Sequence, residues 1–198
     1  MIKFDNPCLD RPYQVFKEKY DESLNAKQDN IEAICISSYL PKNNEVNARY
    51  VNLKFINDKQ FIFFSNYNSP KSSEFKEHDQ ITASIYWSRT NVQIRMKAYI
   101  KKTSKEFNQN YFAKRDEKKN ALAISSYQSS PIDSYEALQK NYEICLKKDN
   151  LNICPDYWGG YSFIPYYFEF WEGHESRINK REVFEKNDAV WRHQFLQP

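Results

Sequence analysis

At 198 residues, 40% of them hydrophobic and 28% charged, with a net charge of +3, the chain has the balance of one soluble domain long enough to bury a core. Its three glycines, Gly159, Gly160 and Gly173, are too few for a Walker loop or a glycine-rich dinucleotide fingerprint, so a phosphate ligand must be gripped largely by side chains and helix ends. Scattered lysines argue against a nucleic-acid partner, four spread cysteines without a C-x-x-C pair argue for a reducing cytoplasm and no metal, and no window approaches a membrane span.

The first predicted element is an amphipathic helix. Asp10 is its candidate cap, Pro12 lies in the first turn, and Tyr13, Phe16, Tyr20 and Leu24 recur at helical spacing. Apolar, β-branched runs at 31–40, 47–56 and 60–65 read as strands, the last two forming a hairpin. Ser69 as N-cap and Pro70 at the first helical position open a helix to about His78. Residues 80–87 and 91–100 are strands. In the second, Val92, Ile94, Met96, Ala98 and Ile100 face one way and Asn91, Gln93, Arg95, Lys97 and Tyr99 the other. Residues 104–126 read as two short helices. Asp133 or Ser134 caps a further one bearing Tyr135, Leu138, Tyr142 and Leu146. The rest reads as strands with tight turns. Seven or eight strands with hairpin-length links point to a small closed or split β-barrel with peripheral helices.

The three histidines, His78, His174 and His193, sit in no nucleophile or metal pattern. Anion-binding signals are better. Lys71 falls in the first turn of the helix opened by Ser69 and Pro70, where free N–H groups and the dipole favour an anion. Arg49 and Lys54 are cations on an apolar strand and need partners or water. Gln93 lies on a polar strand face, where an amide can read a heterocycle edge. Tyr111 and Arg115, at i and i+4, read as one helix face able to clamp an anion. Taken singly, each is equally consistent with a solvated surface.

Together they are not independent. RYVNLK (49–54), FFSNYNSPK (63–71), VQIRMKA (92–98), YFAKR (111–115), YQSS (127–130), YWGGY (157–161) and FWEGHESRINKR (170–181) occur in an order and spacing that resembles the pyridoxine (pyridoxamine) 5′-phosphate oxidase family. The resemblance covers roughly residues 10 to 198. It implies a mainly β, homodimeric FMN-binding split β-barrel forming a single domain over 1–198. Its parts would be an N-terminal helical segment (1–28), the barrel with its helices (29–155) and a C-terminal dimerisation segment (156–198).

The resemblance also implies roles. Arg49, Lys54, Phe64, Ser65, Lys71, Gln93, Gln128, Ser129, Trp171 and Arg181 match FMN-binding positions. Lys54, Tyr111, Arg115 and Lys119 match the group around the substrate phosphate, and Arg177 and Asn179 match the terminal motif over the substrate ring. The implied reaction is oxidation of pyridoxamine or pyridoxine 5′-phosphate to pyridoxal 5′-phosphate with O2 reduced to H2O2, in a site shared between two chains. Three positions depart from the family pattern: Pro70 replaces an arginine, Lys119 a serine, and Asn179 the histidine of Arg-x-His. Those departures keep two alternatives open, a related flavin oxidase acting on another ring and a low-turnover FMN or pyridoxal-phosphate binding protein.

Overall fold

The computed structural model describes residues 1–148 and 150–198. In chain order it contains β1 (Lys3–Pro7), α1 (Arg11–Asn25), β2 (Ala33–Leu40), β3 (Glu45–Asp58), β4 (Gln60–Asn66) and α2 (Pro70–Glu77). These are followed by β5 (Gln80–Trp87), β6 (Val92–Lys102), α3 (Lys105–Ala113), α4 (Glu117–Ser125), α5 (Tyr135–Leu146), β7 (Trp158–Glu172), β8 (Lys180–Asn187) and β9 (Val190–Leu196).

The strands run β3-β2-β5-β6-β7, and β4 pairs with both β7 and β3, so six strands close into a ring. Closure removes the free edges that an open sheet of this size leaves. β8 and β9 extend the sheet beyond β7. The alternation read in β6 holds: Val92, Ile94, Met96, Ala98 and Ile100 are all at most 4% exposed. With Ile34, Ile36, Leu53, Phe61, Phe63, Phe163 and Phe168 they fill the barrel. A bulge between Lys97 and Ala98 offsets β6 against β7 and tightens their coil.

α1 covers this interior. Phe16 packs edge-on to Phe61 at 5.0 Å and Trp87 at 5.8 Å, and Tyr13 meets Phe168 at 5.2 Å. Asp10 stands at the N-cap position yet makes no cap bond. Its carboxylate instead accepts from Trp191 Nε1 at 3.1 Å and pairs with Lys59 at 3.3 Å, tying the last strand to the first helix. A strand at Lys3–Pro7, pairing parallel to β3, has no counterpart in the sequence reading. Five residues around a proline carry too little period-2 signal, and only β3 supplies a ladder for them.

The adjacent glycines of Trp-Gly-Gly answer a packing demand. β4 lies beside them, with Ser65 opposite Gly159 and Phe64 opposite Gly160. A Cβ on Gly159 would meet the Tyr67 hydroxyl and Asn108 Nδ2. Those groups are fixed: Tyr67 donates to Gly160 O at 2.9 Å and Asn108 Nδ2 donates to Tyr67 at 3.0 Å. Gly173, by contrast, faces only the exposed Asn91 side chain. Gly159→Ala is therefore expected to lose about 1–3 kcal/mol of stability by overpacking, and Gly173→Ala less than about 1 kcal/mol, measured as denaturation midpoints of the two variants.

Candidate active site

β4 ends at Asn66 and the chain turns into α2 with Ser69 at the N-cap position and Pro70 first in the helix. Ser69 does not cap. Its hydroxyl donates to Asn66 O at 2.7 Å and accepts from Lys71 Nζ at 3.0 Å. Lys71 is only 8% exposed, and its other hydrogen-bond partners are Ser65 Oγ at 3.2 Å and Gln128 Oε1 at 3.3 Å. All three acceptors are neutral, so the ammonium is desolvated without a hydrogen-bonded counter-charge. Its pKa is accordingly drawn down to about 8, chiefly by burial and next by Arg49, with Glu74 opposing.

Gln128 Oε1 also accepts from Ser65 Oγ at 3.1 Å and from the Asn66 N–H at 3.3 Å. Three donors from β4 and α2 thus converge on one oxygen. The amide oxygen stands where an oxygen of an oxyanion fits, and the donor set with a buried cation suits a phosphate. Arg49, from β3, donates to Ser38 Oγ at 2.5 Å and pairs with Glu74 at 2.5 Å. Ser129, beside Gln128, is exposed in a left-handed backbone conformation (φ 69°).

A second cationic centre is built around Arg115. Phe64 stacks on Tyr111 at 3.9 Å and on Trp158 at 5.0 Å. The Arg115 guanidinium sits 5.0 Å over Trp158. The expected shared helix face of Tyr111 and Arg115 is corrected: α3 ends at Ala113, and Arg115 lies beyond it. Arg115 Nη1 donates to Lys119 O at 3.0 Å and Asn120 Oδ1 at 3.2 Å, and these bonds with Trp158 hold it in place. A cleft of about 230 Å³, whose lining includes Phe64, Ser65, Arg115, Lys119, Gln128 and Trp158, runs from Arg115 to Ser65 and Gln128, the hydrogen-bond partners of Lys71.

The remaining candidates sit elsewhere on the chain. Lys54 occupies the bulge between Leu53 and Phe55 and pairs with Glu32 at 3.7 Å. Gln93, Trp171 and Arg181 lie side by side across β6, β7 and β8. Arg181 is held by Glu169, Nε to Oε1 at 2.8 Å, and Arg95 and the Tyr167 hydroxyl bind the other carboxylate oxygen. Burial alone would raise the Glu169 pKa, but the hydrogen bonds from Arg95 and Arg181 outweigh it and hold it below the ordinary value.

Arg177 and Asn179 lie between β7 and β8. Arg177 is exposed with φ 60°, and Asn179 Oδ1 accepts the His174 N–H at 3.0 Å. His174 Nδ1 accepts the Ser176 N–H at 3.1 Å, so both side chains shape the segment that carries Arg177.

Three residues outside the sequence reading contact the candidates. Glu74 pairs with Arg49 and Glu169 with Arg181, while the fully buried Asn120 joins Arg115 to Phe112 O. Glu74, three residues after Lys71 on one helix, and Glu169, two before Trp171 on one strand, had a positional signal. Asn120 had none.

Residues 158–198 match the family model described as the pyridoxine 5′-phosphate oxidase C-terminal dimerisation region. The chain is 33% identical over 174 residues to the pyridoxine/pyridoxamine 5′-phosphate oxidase of Vesicomyosocius okutanii, covering 87% of this chain and 82% of that protein. It is 30% identical over 192 residues to that of Haemophilus influenzae, covering 96% and 91%. Among solved structures, PhzG from Burkholderia lata 383 in complex with tetrahydrophenazine-1-carboxylic acid superposes with a TM-score of 0.89 at 22% identity, over 94% of this chain and 92% of that one. A pyridoxamine 5′-phosphate oxidase-related, FMN-binding protein from Nostoc punctiforme gives 0.77 at 13%, over 92% and 97%. At these identities the two structures establish the shared fold.

The Lys71 environment sets a pH dependence. Free Lys71 loses its proton above about 8, whereas an adjacent phosphate dianion raises its pKa, so binding takes up a proton in that range. Affinity for FMN, the ligand implied by the sequence, is expected to fall as pH rises from about 8 to 9.5, by up to about tenfold per unit. Titrations following flavin fluorescence test this, with Lys71→Met expected to bind weakly and without that slope.

Proposed function

Because the chain belongs to the pyridoxine/pyridoxamine 5′-phosphate oxidase family, we propose that it is an FMN-dependent oxidase converting pyridoxamine or pyridoxine 5′-phosphate to pyridoxal 5′-phosphate, with O2 reduced to H2O2. The observation that carries this reading is one cleft lined by Arg115 and Lys119 on one side and by Ser65 and Gln128, the hydrogen-bond partners of buried Lys71, on the other. Cofactor and substrate each bring one phosphate, and each centre takes one.

When bound, FMN supplies the two-electron acceptor that O2 regenerates. The protein's own part is binding and orientation. Arg49 and Lys71 hold the cofactor phosphate, Phe64 and Ser65 contact the flavin by backbone and hydroxyl, and Gln128 and Ser129 reach the cofactor from their loop. Tyr111, Arg115, Lys119 and Lys54 receive the substrate phosphate, and Arg177 and Asn179 close over the substrate ring. Among the described residues, those lining the cleft include no carboxylate or histidine, in keeping with chemistry that needs little acid–base equipment from the chain.

Gln93, Trp171 and Arg181 are assigned to the same cofactor through a second copy of the chain. Ser65 pairs with Gly159 and Gln93 with Trp171, twelve residues further along β7. At ~3.3 Å per residue that is up to about 40 Å of strand, too far for one protomer to close both ends on one flavin. A homodimer brings the far end of a partner's β7 to the cleft, which suits the match of residues 158–198 to a dimerisation region.

Two measurements test the proposal. The purified protein is expected to bind FMN, and anaerobic pyridoxine 5′-phosphate should bleach the flavin band, with H2O2 appearing on admission of air. Absence of FMN uptake removes the flavin reading. Uptake without bleaching assigns the site to another ring substrate or to binding alone. Asn179→Ala, which frees the His174 N–H, is expected to lower kcat/KM by about five- to tenfold, roughly 1–1.4 kcal/mol, with FMN affinity unchanged.

A further inference from the structure

We propose that Glu74 sets how tightly this chain holds FMN: its buried carboxylate cancels one of the two cations at the phosphate site and leaves the cofactor exchangeable. The inference rests on the assignment of Arg49 and Lys71 to the FMN phosphate.

Glu74 is 3% exposed and sits between α2, β2 and β3. Its Oε2 pairs with Arg49 Nη2 at 2.5 Å and accepts the hydroxyl of Ser38, itself 3% exposed. A carboxylate beside an anion site works against the ligand unless it is needed to aim the arginine. Arg49 is already aimed without it: Nη1 donates to Ile36 O at 3.3 Å and to Ser38 Oγ at 2.5 Å, two neutral acceptors on β2. What Glu74 adds is therefore mainly negative charge.

That charge reaches the second cation as well. Lys71 precedes Glu74 by three residues on α2, a spacing that puts both on one helix face. The charged groups that act on Lys71 are Arg49 and Glu74. The first helical position is exposed Pro70, which brings neither a cation nor a backbone N–H. Two cations and one carboxylate leave one net positive charge to meet a phosphate that carries nearly two negative charges at neutral pH. In a site where water is largely excluded, one unit charge at this range changes anion affinity by an order of magnitude or more.

The test compares FMN with riboflavin, which lacks the phosphate, on the full-length protein and its Glu74→Gln variant, by flavin fluorescence. Glutamine keeps the size and an acceptor oxygen for Arg49 and Ser38 while removing the charge. The FMN dissociation constant is expected to fall by about tenfold or more, with that of riboflavin changing less than about twofold and the salt dependence for FMN steepening. An unchanged or weaker FMN affinity in a folded Glu74→Gln protein overturns the proposal. Should that variant fail to fold, Pro70→Arg adds a cation at an exposed position beside Lys71 and is expected to tighten FMN to a similar degree. No tightening there overturns the proposal equally. Wild-type protein that binds neither flavin removes the FMN assignment, and this inference with it. FMN binding that responds to neither variant keeps the assignment and removes only the role of Glu74.

Discussion

The architecture depends on β7 holding β6 on one edge and exchanging β4 for β8 on the other. From Tyr161 to Glu172 it lies against β6, while its other edge is taken first by β4, from Trp158 to Phe163, and then by β8, from Tyr167 to Glu172. The first exchange closes the barrel, and the second carries the sheet outward into the terminal hairpin. Such a strand can leave few backbone groups unpaired and must be apolar where it faces the core, which is why its middle reads Phe-Ile-Pro-Tyr-Tyr-Phe-Glu-Phe-Trp. It also separates the two ends of the proposed site, which is why the proposed function draws on a second copy of the chain.

Three arginines of the candidate site are held in three different ways. Arg181 is balanced by a buried carboxylate that also takes Arg95, which orients it and removes much of its field. Arg115 is supported by neutral acceptors and the face of Trp158, so its charge stays available to a ligand. Arg49 has both kinds of partner. Lys71 is buried with neutral hydrogen-bond partners, and it has much to gain from an anion. This ordering follows from desolvation and pairing, and it separates residues that fix geometry from residues that attract phosphate.

Much of the fold was legible in the chain. Period-2 alternation located β6 residue by residue, and the Ser-Pro signal located the start of α2. The errors share one cause. β1 needs β3 as its template, Arg115 needs Asn120 and Trp158 because its helix stops two residues earlier, and Ser69 gives up its cap to a lysine ammonium. Each depends on a partner remote in sequence or on a competition that local pattern does not express. His174 and Asn179 belong to the same class: their side chains are spent on the backbone of their own segment.

The sequence by itself determined the class of fold and the family, because hydrophobic period, turn residues and ordered motifs are properties of neighbouring positions. It also named the cations that a phosphate ligand would need. Tertiary structure alone decided which of those cations are free. Glu74, Asn120 and Glu169 come to Arg49, Arg115 and Arg181 only through helix docking and strand register, and burial, which sets the strength of each charge, exists only once the barrel has closed.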